Sequence, residues 1–350
     1  LVKYRVMKAL RKIQPQAGAS LAEIQEPRIS GGEVLVKVRA AALCGSDVDM
    51  VNWTSLVQRA NYALPVTLGH EFCGEVIAAG ENVKTIRPGD LIAAETHNPC
   101  DVCYTCRTGN RHICPNGMGV LGRTMDGAFA EYIKIPEVMA VKIPPGISSR
   151  CGALMEPLAT AVHCLSKGII SGDSVAILGA GAIGQMAIDI ARALGAAKIF
   201  VLSRSEKKLA ESRRRGADVV INGDTQDFVK IIKEETGGVG VGAAIDMTGD
   251  EKVLNGCVEA LRVAGRLVCV GMVKKPLTFD NFMYGVVYKE LIVTGIFGRR
   301  MFETWETLFS LLRAGRLELE SYISAEYPLA EYHKAFEAFP LATGRILLTL

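Results

Sequence analysis

No stretch of this chain is apolar for long enough to cross a membrane; its longest apolar runs are strand-sized and broken by glycine. The opening residues LVKYRVMKALRK lack the apolar middle region of a secretory leader. The chain does not begin with Met, and Met7, opening MKAL, is a candidate native start. Charge of one sign is scarce: the net charge of +3 argues against a nucleic-acid partner. The densest basic run, Arg213-Arg214-Arg215, lies in SEKKLAESRRRGAD, which reads as a helix with a solvated basic end. Ten cysteines in 350 residues are too few for a disulfide framework, so the expected location is the reducing cytoplasm. Internal repeats and low-complexity linkers are absent.

What is present is a globular composition, 49% hydrophobic and 22% charged, over a length that suggests two domains. Up to about residue 150 the signals are those of short strands between glycine and proline turns: EVLVKVRAAAL, FCGEVIAAG, GDLIAAE and AFAEYIKI. From residue 171 the texture changes. SVAILGAG, KIFVLS, VVIN, AAIDMTG and GRLVCVG read as buried strands. Between them AIGQMAIDIARALG, SEKKLAESRRRG, DFVKIIKEET and EKVLNGCVEALRV read as helices. Strand alternating with helix predicts a parallel sheet covered on both faces. After about residue 295 two helical patterns, ETWETLFSLLRAG and AEYHKAFEAF, lead to a last strand, RILLTL.

Gly179-Ala-Gly181-Ala182-Ile183-Gly184 follows the first of these strands and opens a helix. In that context GxGxxG marks a dinucleotide site: one glycine for the turn, one for close approach of a pyrophosphate, one for helix–strand packing. The plainer alternative is a glycine-rich turn without a ligand. At the end of the second strand, where an NAD site places Asp or Glu against the ribose 2′-hydroxyl, this chain has Ser203-Arg204-Ser205 followed by Lys207 and Lys208. Those residues suit a 2′-phosphate and predict a preference for NADP(H) over NAD(H). The alternative is a capping serine beside an exposed arginine. Further candidate cofactor contacts are Thr248, Val270 and Gly271 at the ends of later strands.

CDVCYTCRTGNRHIC places Cys100, Cys103, Cys106 and Cys114 within fifteen residues. Four thiolates close a tetrahedral zinc site without room for water, which makes such a site structural; an iron–sulfur cluster is the alternative. A second set is dispersed: Cys44 in LCGSD, His70 and Glu71 in GHEF, and Glu156 in MEPL. Singly, each has an ordinary reading as core or surface. Together they are one soft thiolate, one imidazole and carboxylates, the donors of a catalytic zinc with an open position. Asp47, three residues after Cys44, is placed to orient the histidine.

CGSD, GHEFCGEV, the four-cysteine lobe, DGAFAEY, MEPLATAVH and GAGAIG occur in the order found in the zinc-dependent medium-chain dehydrogenases, and the chain resembles that family over nearly its whole length. Within it, the nearest pattern is that of the L-threonine 3-dehydrogenases, with sorbitol and other polyol dehydrogenases next; Asn52-Trp53, His97 and GRRMFETW resemble the threonine enzymes. The resemblance implies an α/β fold: a GroES-like β domain over 1–155, completed by 296–350, and a Rossmann domain over 156–295, with the active site in the cleft between them. It implies Cys44, His70 and Glu156 as catalytic zinc ligands with Glu71 as an alternate, a structural zinc in the lobe, and a homotetramer or homodimer. The implied reaction interconverts a secondary alcohol and its ketone, with zinc as Lewis acid and hydride passing to the nicotinamide. Ser46 starts a proton path. In that family's usual CGTDVH the last residue is His; here it is Asp49, a candidate for the next step of the path. MEPLAT likewise replaces the usual EPLGN. Two other readings stand: a zinc-free quinone or enoyl reductase of the same fold, and a nucleotide-binding protein without catalysis.

Overall fold

The computed structural model describes residues 5–273 and 275–350. The described residues through Pro157, with Arg299–Trp305 and Leu319–Leu350, form one compact unit; Leu158–Gly298 and Glu306–Glu318 form another.

The first unit is organised around the strand Glu33–Ala42. In EVLVKVRAAA the buried Val36, Val38 and Ala40 alternate with the more exposed Lys37 and Arg39, the two-residue period of a strand, while Val34 and Leu35 are both buried at its start. Ala40, Ala41 and Ala42 are all buried, and strands pair with this segment on both edges. Ala42 pairs antiparallel with Glu71 of the strand Glu71–Ala79 on one side and with Leu347 of Arg345–Thr349 on the other. This register brings the start of two strands, one beginning at Glu71 and one at Arg345, to the same end of the sheet. Across the sheet the strand order is Ala140–Lys142, Leu91–Ala94, Glu71–Ala79, Glu33–Ala42, Arg345–Thr349, Ile323–Pro328, with Tyr132–Pro136 also on Glu33–Ala42. Leu43, Leu68, Phe72, Phe129 and Ile135 join the three valines in one buried cluster.

In the second unit, six parallel strands run Ser174–Leu178, Lys198–Ser203, Val219–Asn222, Val241–Asp246, Leu261–Cys269 and Ile292–Gly295. Counted along the chain, they lie in the sheet as third, second, first, fourth, fifth, sixth. The central strands are predominantly apolar, as faces covered on both sides require; all six residues of Val241–Asp246 are buried. The order reverses between the first and fourth strands, and in such sheets ligands bind at the carboxyl ends beside that reversal. The fold is thus a β-rich domain joined to a doubly wound Rossmann domain.

Two local expectations change. The helix expected through EKVLNGCVEALRV ends at Ala260, and Leu261 already has extended geometry and pairs with Val241. The basic end of the helix Glu206–Arg214 is only partly solvated. Arg215 is 4% exposed, and its guanidinium meets Asp189 at 2.9 Å and Glu211 at 2.8 Å.

Candidate active site

Cys44 ends the apolar run that follows Glu33–Ala42 and precedes the helix Gly45–Asn52. Asp47, 3% exposed, serves both the helix start and the histidine: its Oδ2 accepts from the Cys44 N–H at 2.9 Å and its Oδ1 lies 3.7 Å from His70 Nδ1. An N–H at Nδ1 would face that carboxylate and, in the neutral ring, leave Nε2 to offer a lone pair. His70 directly precedes the strand Glu71–Ala79. One ligand atom each from Cys44, His70 and Glu71 lies within 4.8 Å of the others. Glu71 is buried; Arg345 Nη2 donates to its Oε1 at 2.6 Å, while its Oε2 has no hydrogen-bond partner.

The charges around this group are strongly coupled. Burial alone would raise the Cys44 thiol, but the hydrogen bond from His70 and the charges of His70 and Arg345 bring it down to about 7. Burial opposes charge on His70, yet Asp47 and Cys44 raise its pKa well above the usual value. Burial also raises Glu71, with Arg345 pulling the other way. A thiolate, an imidazole nitrogen and a carboxylate oxygen without a partner, held this close, fit a divalent cation of intermediate softness. Three such donors leave one position for a reacting oxygen.

In the lobe, Cys103 caps the short helix Tyr104–Arg107, and the Cys106 N–H points at its sulfur. That N–H is the main reason the Cys103 thiol falls to about 7. All four sulfurs lie within 4.8 Å of one another, with Cys103–Cys114 at 3.7 Å and Cys100–Cys114 at 3.5 Å. A tetrahedral zinc at about 2.3 Å from each sulfur sets them about 3.8 Å apart, whereas a disulfide needs about 2.05 Å. The spacing fits the metal and excludes the bridge.

In the Rossmann unit, Gly179 has φ +117°, and Gly184 lies so near Gly179 that an added Cβ would fall 2.0 Å from its carbonyl oxygen. Gly181 caps the helix Ala182–Ala193, whose first residues include Ala182 and Ile183. The amide N–H groups of Val270 and Gly271 both donate to Asp246 O, at 2.8 and 2.9 Å. Thr248 Oγ1 donates to Asp246 Oδ1 at 2.6 Å. These residues and Gly179 meet at the carboxyl ends of the first, fourth and fifth strands. Ser203 ends the second strand, and its Oγ accepts from the Ser205 N–H at 3.2 Å. The helix cap is Ser205, not Ser203. Arg204 is exposed and forms no ion pair among the described residues. The nearby Glu206 is engaged by Asn222, and burial lowers the pKa of the half-buried Lys208.

Residues 30–145 match the family model for the alcohol dehydrogenase GroES-like domain, and residues 182–314 match that for zinc-binding dehydrogenase. The L-threonine 3-dehydrogenase of Caldanaerobacter subterraneus subsp. tengcongensis is 39% identical over 333 residues, 95% of each chain. The chain belongs to the zinc-dependent medium-chain dehydrogenases. Among solved members, a zinc-binding dehydrogenase from Sinorhizobium meliloti 1021 bound to NADP superposes with a TM-score of 0.90 at 28% identity, covering 99% of this chain and 100% of that one. The 2R,3R-butanediol dehydrogenase of Bacillus subtilis does so with a TM-score of 0.87 at 28% identity, covering 98% and 99%. This dehydrogenase is a zinc-dependent alcohol oxidoreductase that works with a nicotinamide cofactor.

Not every candidate residue joins the three-donor group of this dehydrogenase. Glu156 lies outside it: its Oε1 accepts from Thr96 Oγ1 at 2.8 Å and from Arg299 Nη1. Arg299 also donates to Glu95 Oε2, from Nε at 3.2 Å and Nη2 at 3.0 Å, and Trp305 Nε1 donates to Glu95 Oε1. Burial opposes ionisation of Glu156, but the Arg299 charge prevails and lowers its pKa. Ser46 is exposed in the first turn of Gly45–Asn52, and Asp49 is one turn further on. No side-chain hydrogen bond to either occurs among the described residues. Arg345, Arg299 and Glu95 carry none of the metal-ligand spacings. The one sequence signal for Arg345 is a lone charge opening the apolar strand RILLTL, and the one for Arg299 is its place in GRRMFETW.

Proposed function

We propose that this dehydrogenase oxidises a secondary alcohol to its ketone, and reduces the ketone in the reverse direction, with NADP(H) favoured over NAD(H) and two zinc ions in each subunit. The convergence of Cys44, His70 and the partner-free oxygen of Glu71 carries this reading. Zinc held there supplies Lewis acidity toward the substrate oxygen. Asp47 keeps the His70 ring in one tautomer and orientation. Arg345 fixes one oxygen of Glu71 and so aims the other into the group. Glu156, restrained by Arg299 and Thr96, is held as a wall beside the three donors. Ser46 receives the hydroxyl proton and passes it on; Asp49, three residues later on the same helix face, is its next acceptor.

The glycine turn and helix N-terminus at Gly179–Gly184 hold the dinucleotide phosphates, with Thr248, Val270 and Gly271 beside the rest of the cofactor. Preference for the 2′-phosphate is supported by Ser203 and Arg204 at the end of a strand that itself carries no carboxylate. Relatives named for threonine and for 2R,3R-butanediol, both secondary alcohols, support the substrate class. The lobe's four sulfurs support a second, structural zinc. Ten free thiols support a cytoplasmic location. No helix among the described residues is long and apolar enough to cross a membrane. A homodimer or homotetramer is supported by the outer strand Ile292–Gly295, where Ile292 and Val293 are exposed and no further strand pairs among the described residues.

Elemental analysis of protein purified without chelators, combined with kcat/KM for secondary alcohols with each cofactor, tests the reading. Two equivalents of zinc, a higher kcat/KM with NADP⁺, and loss of turnover in Cys44→Ser with NADP⁺ binding retained are expected. Full activity in Cys44→Ser overturns the metal assignment, and a kcat/KM with NAD⁺ at or above that with NADP⁺ overturns the cofactor preference.

A further inference from the structure

A cavity of about 270 Å³ lies within the first unit, bordered by Asn61, His97, Asn98, Cys114, Arg123 and Thr124 among others, with no carboxylate in its lining. Arg123 is the unusual member. Its guanidinium lies over the Tyr62 ring, 5.0 Å from the centroid, and its Nε is buried without a hydrogen-bond partner. No ion pair or side-chain hydrogen bond to Arg123 occurs among the described residues. The contrast within the same unit is sharp: Arg299 meets Glu95 and Glu156, Arg345 meets Glu71, and Arg111 meets Asp101. A buried guanidinium N–H without an acceptor is costly unless an acceptor completes it. A guanidinium stacked on an aromatic face still has its in-plane fork of donors free, and that fork matches a carboxylate or phosphate.

Arg123 also stands on a loop that packs against the chain neighbour of His70. The loop carrying Arg123 wraps the residue before His70: Ala128 N donates to Gly69 O at 2.9 Å, and a Cβ on Gly122 would lie 3.1 Å from Gly69 N. His97, in the cavity wall, is kept neutral, its pKa pushed down to about 3 by burial and then by the charges of Arg299 and Arg123. Asn61, Asn98 and Thr124 add uncharged hydrogen-bonding groups.

We propose that Arg123 is the anion-recognition residue of the substrate site, so that the alcohol oxidised here carries a carboxylate or a phosphate that docks in this cavity. The proposal rests on the alcohol dehydrogenase reading above and narrows its substrate class. Two matched pairs of probes test it on the full-length, zinc-loaded protein: L-threonine against L-threoninamide, and galactitol 1-phosphate against galactitol. The wild type should prefer the charged member of at least one pair, and which pair it is distinguishes carboxylate from phosphate. Arg123→Gln should raise KM for that charged member about ten- to a hundredfold, the worth of a hydrogen-bonded charge pair. Arg123→Lys should keep part of the preference.

If Arg123 only braces Tyr62, both members of a pair lose kcat/KM alike and the thermal midpoint falls with them; that outcome overturns the proposal. A wild type that oxidises the uncharged members as well as the charged ones overturns it too, while leaving the alcohol dehydrogenase reading intact. If no probe is oxidised, equilibrium dialysis of inorganic phosphate decides the site by itself. Retention by the wild type that is lost in Arg123→Gln upholds an anion site, and no retention by the wild type overturns it.

Discussion

Asp47 uses each of its two oxygens differently: one closes the turn after Cys44, the other faces His70. Asp47→Asn keeps an oxygen for the Cys44 N–H but replaces the charge opposite the imidazole with a neutral amide. Metal affinity is therefore expected to fall about ten- to a hundredfold, measured by competition with a chromogenic chelator, while the far-ultraviolet spectrum stays unchanged. An unchanged affinity would remove Asp47 from any role in orienting His70. At this scale the sequence speaks clearly only where chemistry is local. Cys44 with Asp47 and His70 with Glu71 are short motifs, and the four cysteines lie in one lobe. That Glu71 lies with Cys44 and His70 while Glu156 meets Arg299 has no sequence signal, because two distant arginines hold these carboxylates. Arg345 leaves one oxygen of Glu71 open, while Arg299 binds Glu156. An arginine's partner across a fold leaves no spacing to read.

Among the elements, Glu137 fastens a loop to the sheet. Its Oε1 accepts from Thr85 N at 2.5 Å and Thr85 Oγ1 at 2.7 Å, and both oxygens accept from Lys84 N, at 2.9 and 3.0 Å. Burial would raise this carboxyl, but the N–H groups of Thr85 and Lys84 bring it down to about 2. A folded-state pKa below the ordinary 4.5 contributes stability that is present above 4.5 and lost as pH falls toward 2. Glu137→Gln should thus lower stability by about 1 kcal/mol near neutral pH, and the two proteins should converge as pH falls through about 2. Both tryptophans, Trp53 and Trp305, belong to the first unit, so their fluorescence in urea titrations follows the part that contains Glu137. A gap as wide at pH 2 as at neutral pH would show that the loss came from shape, not charge. The strand–helix alternation after residue 171 was legible because buried parallel strands are short apolar runs between glycine turns. The junction at Ala260 was not, since helix passes into strand without glycine or proline between them. The helix Met155–Gly168 was equally opaque: Met155 through Leu165 are all buried, and a helix covered all round shows no amphipathic stripe.

For the whole molecule, the outer strand Ile292–Gly295 offers an open edge with apolar side chains, beside the exposed stacked rings of Tyr284 and Tyr288. Sedimentation velocity should report a dimer or tetramer, and Ile292→Lys should shift the population toward the monomer; a wild type that is monomeric at micromolar concentration removes the assembly. The two-domain plan was readable from the change in texture along the chain, but which residues of the last segment join which unit was not. Glu306–Glu318 groups with the Rossmann unit, while Leu319–Leu350 returns to the first. That return also bears on synthesis. Arg345 follows Glu71 by 274 residues, so at about 5–20 residues per second a ribosome adds it about 14 to 55 s later. Throughout that interval Cys44, His70 and Glu71 are all made, but the guanidinium that restrains Glu71 is not. Metal captured co-translationally would meet a carboxylate with both oxygens loose. Metal captured after release meets one already aimed, so the timing of zinc delivery against translation would govern how faithfully the nascent enzyme is loaded.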